Sequence, residues 1–128
     1  MPRQSRRLTL LLRALWFCLF GAILFGSLST SVGPPALFPH ADKVFHFGAW
    51  GALAALAFLV FAGRYNRLAI PSALLVISAA IEVIQTFIPG RTGSYEDLAA
   101  NAFGIALGSL VGLALRRPVL AWLQRDAT

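Results

Sequence analysis

The chain has 128 residues, of which 58% are apolar and only 12% charged, yet its formal net charge is +6, from 11 Lys and Arg against 5 Asp and Glu. A soluble domain of this length lacks the interior volume to hide so much apolar side chain, and the same excess excludes a disordered chain. A basic balance points first to nucleic acid, so the placement of the charges must decide.

Four apolar stretches are each close to the roughly 20 helical residues that cross a bilayer: 11–31, 44–62, 68–88 and 98–115. Breakers separate them: Gly33-Pro34-Pro35 with Pro39, then Gly63 to Arg67, then Pro89-Gly90-Arg91. Pro71 falls in the first turn of the third stretch, where a missing N–H costs little. Pro118 is expected to end the fourth, leaving Val119, Leu120, Trp122, Leu123 and Arg125 as a short interfacial helix. The pattern predicts an all-α fold, an integral membrane four-helix bundle forming one membrane domain over residues 1–128. Arg3, Arg6 and Arg7 ahead of the first stretch resemble a signal-peptide n-region, but the apolar run exceeds the usual 7–15 residues. An uncleaved signal-anchor helix is the expectation. Cys18 lies inside that run and is the single cysteine, so no internal disulfide forms.

Short-loop Lys and Arg bias sets orientation. With both termini cytoplasmic, the inner side holds Arg3, Arg6, Arg7, Arg13, Arg64, Arg67, Arg116, Arg117 and Arg125, whereas the outer side holds only Lys43 and Arg91. Arg13 can snorkel to the inner interface. The basic charge is thereby explained by topology, and no nucleic-acid partner is expected. The reading makes the chain a multi-pass membrane protein with membrane lipid as its surroundings.

The remaining polar residues gather toward the outer side: Asp42, Lys43 and His46, then Glu82 and Gln85, then Arg91, Ser94, Glu96, Asp97 and Asn101. Asp42, His46 and Trp50 recur at i, i+4 and i+8 and share one helix face. Glu82 and Gln85 share a face at i, i+3, and Asp97, Asn101, Gly104 and Gly108 form a stripe. Counted from the middle of the connecting loop, His46 and Glu82 fall within about 3 Å of one depth at 1.5 Å per residue. The same count puts Gln85 level with Asn101.

Glu82 lies about 9 Å below the outer end of its stretch. A carboxylate at that depth costs a few kcal/mol unless it has a partner, water or a proton. It either binds or reacts, or it merely joins helices through Gln85 or Asn101. His46 and the Asp42-Lys43 pair also suit a hydrated helix start, and Ser94-x-x-Asp97 fits a capping box. Arg91 is a fork-shaped donor suited to phosphate or carboxylate, or to a salt bridge with Glu96 or Asp97. Gly104, Gly108 and Gly112 read as a close helix-packing face. A metal held by His46, Glu82 and Asp97 is conceivable, but sequence spacing offers nothing for it, so neither metal nor cofactor is expected.

At these residues the chain resembles the VanZ-like family of small bacterial membrane proteins. The resemblance is carried by Asp42-Lys43-x-x-His46-Phe47, by Glu82-x-x-Gln85-x-Phe87-x-Pro89-Gly90-Arg91-x-x-Ser94-x-x-Asp97, and by Asn101-x-x-Gly104-x-x-x-Gly108, over residues 42–108. Trp50 stands where the family usually has a tyrosine or similar ring. The resemblance implies four membrane helices and a link, by the family's name, to resistance against the glycopeptide teicoplanin. No established reaction comes with that name.

Three functions compete. The first is an outer polar pocket that binds a lipid-linked or lipid-like headgroup, such as an envelope precursor or a lipoglycopeptide, through Asp42, Lys43, His46, Glu82, Gln85, Arg91, Asp97 and Asn101. The second is a membrane enzyme acting on such a headgroup, with Glu82 and His46 as its acid–base pair. The third, a small proton-coupled exporter, is opposed by the strong charge bias, since exporters that insert both ways have balanced loops. Orientation is directly testable: with Cys18 replaced by Ser, Thr92→Cys is expected to react with a membrane-impermeant thiol reagent added to intact cells, and Tyr65→Cys only after permeabilisation.

Overall fold

The computed structural model describes residues 3–31, 37–61 and 66–125. Four helices follow in order: α1 (Arg3–Leu28), α2 (Ala41–Val60), α3 (Asn66–Gln85) and α4 (Tyr95–Arg125). No strand occurs among the described residues, and all four helices are long and apolar enough to cross a membrane. The breakers Gly33-Pro34-Pro35 and Gly63 to Tyr65 lie outside the described residues.

Several boundaries differ from the expected spans. Helix α1 starts at Arg3 and ends at Leu28, and α3 already begins at Asn66. The larger correction concerns Pro118, which does not end the fourth helix. Helix α4 continues through it as one 31-residue element, and the tail is not a separate interfacial helix. Proline removes one N–H donor from the ladder, and near the membrane surface water can satisfy the carbonyl left over. At 1.5 Å per residue the helix is about 46 Å long, well beyond a hydrocarbon core of about 30 Å.

Helices α2 and α4 are the central pair and run parallel. A Cβ built on Gly104 would overlap the backbone of Phe47, one on Gly108 that of Gly51, and one on Gly112 that of Ala55. The match advances four residues at a time along both chains, so the glycine stripe seats one helix directly on the other's backbone. Association between membrane helices relies on such close van der Waals approach, because lipid is as apolar as leucine. Trp50, Leu53 and Ala54 of α2, Leu74 and Ile81 of α3, and Ile105 of α4 form the buried core.

Helix α1 packs on the outside of this core, and none of the residues in its apolar segment is fully buried. Trp16 fastens it by donating its indole N–H to the Leu53 carbonyl at 3.0 Å, and its ring stacks on Phe20 at 5.3 Å. Arg13 stands 6.0 Å above the Phe61 ring, a cation–π contact at the basic end of the bundle. Arg67, Arg116 and Arg117 surround a cavity of about 280 Å³ at that same end. The carboxylates of Asp42, Glu82, Glu96 and Asp97 belong to the opposite end, so the charges segregate along the bundle axis.

Two glycines separate packing from propensity. Gly108→Ala should push α4 off the Gly51 carbonyl and destabilise the protein by about 2 kcal/mol or more. Gly48→Ala, which meets nothing within 4 Å, should be neutral or gain up to about 1 kcal/mol from helix propensity. Thermal melts of the two variants in detergent check the contrast.

Candidate functional site

The polar end of the bundle is built from the N-termini of α2 and α4 and the C-termini of α1 and α3. Helix N-termini carry unpaired amides and partial positive charge, and Asp42, Glu96 and Asp97 fall in the first turns there. The C-terminus of α1 is the reverse case, with carbonyls that need donors.

Gln85 and Arg91 supply those donors. The Gln85 amide donates to the Ser27 carbonyl at 2.8 Å. The Arg91 guanidinium donates to the Ser29 carbonyl from Nε at 2.8 Å and to the Gly26 carbonyl from Nη2 at 2.6 Å, with Nη2 also close to the Ser29 carbonyl. Pro89-Gly90 aims the arginine. Gly90 has φ 80°, and the Arg91 amide donates to the Ile88 carbonyl at 3.0 Å, the geometry of a type II turn that needs glycine at its third position. Arg91 is thereby directed at the end of α1. Gln85, though level with Asn101 by residue count, is bonded to α1 instead.

Lys43 gathers the acids of the helix starts. Its Nζ lies 2.6 Å from Asp97 Oδ1, 2.8 Å from Asp42 Oδ2 and 3.6 Å from Glu96 Oε2. Three carboxylates surround one ammonium, so the lysine is more than neutralised. Of the three, Asp97 is the most enclosed, while Glu96 remains largely exposed.

Beneath this layer lies Asn101, only 1% exposed. Its Oδ1 is 3.0 Å from His46 Nδ1, and its Nδ2 donates to Glu82 Oε1 at 3.5 Å. One amide thus joins α2, α3 and α4. Glu82, also buried, accepts a second hydrogen bond at Oε2, from the Ser94 backbone amide at 3.0 Å. That bond changes the expected cap of α4. Ser94 Oγ accepts from the Glu96 and Asp97 amides, but the returning half of a capping box, from the Asp97 carboxylate to the Ser94 amide, is replaced by Glu82. Asp97 is thereby left for Lys43. Gly93 makes this possible, because a Cβ there would overlap the Glu82 carbonyl.

Asp42, Lys43, His46, Glu82, Asp97 and Asn101 are consequently one connected group, and Gln85 and Arg91 form a second beside it. A ring nitrogen of His46 and carboxylate oxygens of Glu82 and Asp97 lie within 4.8 Å of one another. The partners that residue spacing does not disclose are backbone groups: the Ser94 amide and the carbonyls of Gly26, Ser27 and Ser29. Any residue type carries such groups, so only Gly93 leaves a trace of them in the sequence.

Two cavities reach the group. One, of about 240 Å³, opens between α1, α2 and α3, with His46, Gln85 and Arg91 at its polar end and Ile23, Phe45 and Trp50 among its apolar walls. The other, of about 220 Å³, lies between α3 and α4 beside Glu82, Ser94 and Tyr95.

The Asn101 bridge should be a sensitive point. Glu82→Gln keeps the shape but offers an NH₂ where a donor already points, and leaving such a buried bond unmade costs about 1–3 kcal/mol. Asn101→Asp removes the donor to Glu82 and adds a carboxylate against it, so its loss should exceed that of Glu82→Gln. Melting temperatures of both variants in detergent give the order.

Neither a curated protein nor a solved structure matches this chain. A family model described as VanZ/LLP1 matches residues 4–116, which takes in α1, the whole polar group and most of α4. With four membrane-length helices arranged around that group, the chain is a multi-pass membrane protein that belongs to the VanZ/LLP1 family.

Proposed function

We propose that the polar end faces the outside of a bacterial inner membrane and binds the headgroup of a lipid-linked or lipid-like molecule. The supporting observation is the 240 Å³ cavity with a polar head and apolar walls. Its volume lies below the roughly 300–1,000 Å³ of sites that enclose a whole small molecule. A phosphate- or sugar-sized headgroup fits, while the chain attached to it lies along exposed apolar surface such as Phe45. Arg91 is the cation that borders this cavity, and its contacts with α1 hold its side chain in one place. Lys43, surrounded by acids, contributes less to anion binding than its charge suggests. His46 and Gln85 orient the group.

A second reading, a membrane enzyme acting on the same headgroup, draws on the closeness of His46 and Glu82. A positioned imidazole and carboxyl can pass a proton. The link to teicoplanin resistance rests on the family name alone and is the finest part of the proposal.

Native mass spectrometry of the full chain, extracted in mild detergent, tests binding. A lipid with a phosphate or sugar headgroup should be retained, and Ala49→Phe, which fills the cavity, should reduce retention about tenfold or more. Equal retention by Ala49→Phe, or no retained lipid in the unaltered protein, would sink the proposal. Precursor profiling of cells carrying His46→Ala separates the two readings: an accumulated lipid-linked precursor supports the enzyme, and an unchanged profile supports binding alone. Unchanged teicoplanin sensitivity in a deletion strain removes the resistance link.

A further inference from the structure

Sequence spacing offers no metal site, yet the fold collects a mixed nitrogen and oxygen donor set from three helices. We propose that His46, Glu82 and Asp97 bind a divalent first-row transition cation of the Zn²⁺ or Mn²⁺ kind. Their ligand atoms are at most 4.8 Å apart. By the geometry of a triangle, all three therefore lie within about 2.8 Å of a common point, against metal–ligand bonds of about 2.0–2.2 Å. Side-chain movement of less than 1 Å closes the difference.

Charge favours the same occupant. Asp42, Glu96 and Asp97 share one lysine, and Glu82 adds a fourth carboxylate near Asp97. A divalent ion would offset the excess of carboxylates, drawing Asp97 away from Lys43 while Asp42 and Glu96 retain the ammonium. Glu82 and Asp97 are only 6% and 8% exposed, so neither is a loose surface carboxylate.

Neighbouring groups also hold the ligands in place. Asn101 contacts both the His46 ring and Glu82, and the Ser94 amide fixes the other Glu82 oxygen. Groups that orient ligands in this way are a regular part of metal sites. One cavity borders His46 and the other borders Glu82. One imidazole with two carboxylates suits Zn²⁺ or Mn²⁺ better than the all-oxygen cages of Ca²⁺ or the thiolate sites of Cu⁺. This site is independent of whether the neighbouring cavity takes a headgroup.

The test uses the full chain in detergent, stripped with EDTA and titrated separately with Zn²⁺ and with Mn²⁺ in the absence of added lipid. About one ion per chain is expected, with a rise in melting temperature on binding. His46→Ala and Asp97→Asn should each weaken binding roughly tenfold or more, whereas His40→Ala, at the other histidine of the chain, should not. Should the variants fail to fold, pulsed EPR of Mn²⁺ on the unaltered protein reads the coupling of one imidazole nitrogen directly. Binding below a tenth of an ion per chain, affinity unchanged in His46→Ala and Asp97→Asn, loss on His40→Ala instead, or no nitrogen coupling would each overturn the proposal.

Discussion

Helices α2 and α4 touch through backbone, and the polar group depends on that contact. Gly104, Gly108 and Gly112 rest on Phe47, Gly51 and Ala55 in steps of four residues, which holds two parallel helices in one register. Toward the N-termini of the same pair, Asn101 meets His46 and Asp97 meets Lys43. A larger residue in the stripe would separate the helices along their length, and the hydrogen bonds at the end would part with them. Apolar close packing therefore determines which polar groups meet.

The second constraint is that a polar group left unpaired in a low-dielectric interior is costly. Each element at the polar end answers a deficit in another. Carbonyls at the end of α1 take donors from Gln85 and Arg91; the Ser94 amide at the start of α4 takes Glu82; Asp97, released from its own cap, takes Lys43. These bonds cross between all four helices or their connecting turns. Such reciprocal satisfaction gives rigidity, and a rigid arrangement of acid, imidazole and amide is what binding or proton transfer requires.

This reapportions the charges that dominate the composition. At the basic end Arg13 meets Phe61, and Arg67, Arg116 and Arg117 gather. At the other end, acids outnumber bases among the described residues. There the two cations have separate tasks: Lys43 neutralises the helix starts, and Arg91 caps α1 while bordering a cavity.

The sequence by itself determined the helical class, the four spans, the glycine face and the residues of the polar group. Each of these rests on local or periodic properties: run length, hydropathy, spacing on a helix, and the depth of a residue below its loop. Residue depth placed His46 and Glu82 at one level correctly, because rise per residue is nearly constant. Partner choice needed the tertiary structure, since depth leaves rotation about the helix axis undetermined. Rotation turned Gln85 toward α1 rather than Asn101, gave Asp97 to Lys43, and brought His46, Glu82 and Asp97 within reach of a single ion. The uninterrupted course of α4 through Pro118 was likewise decided in three dimensions, where the loss of one hydrogen bond weighs little against a helix that is already seated on its neighbour.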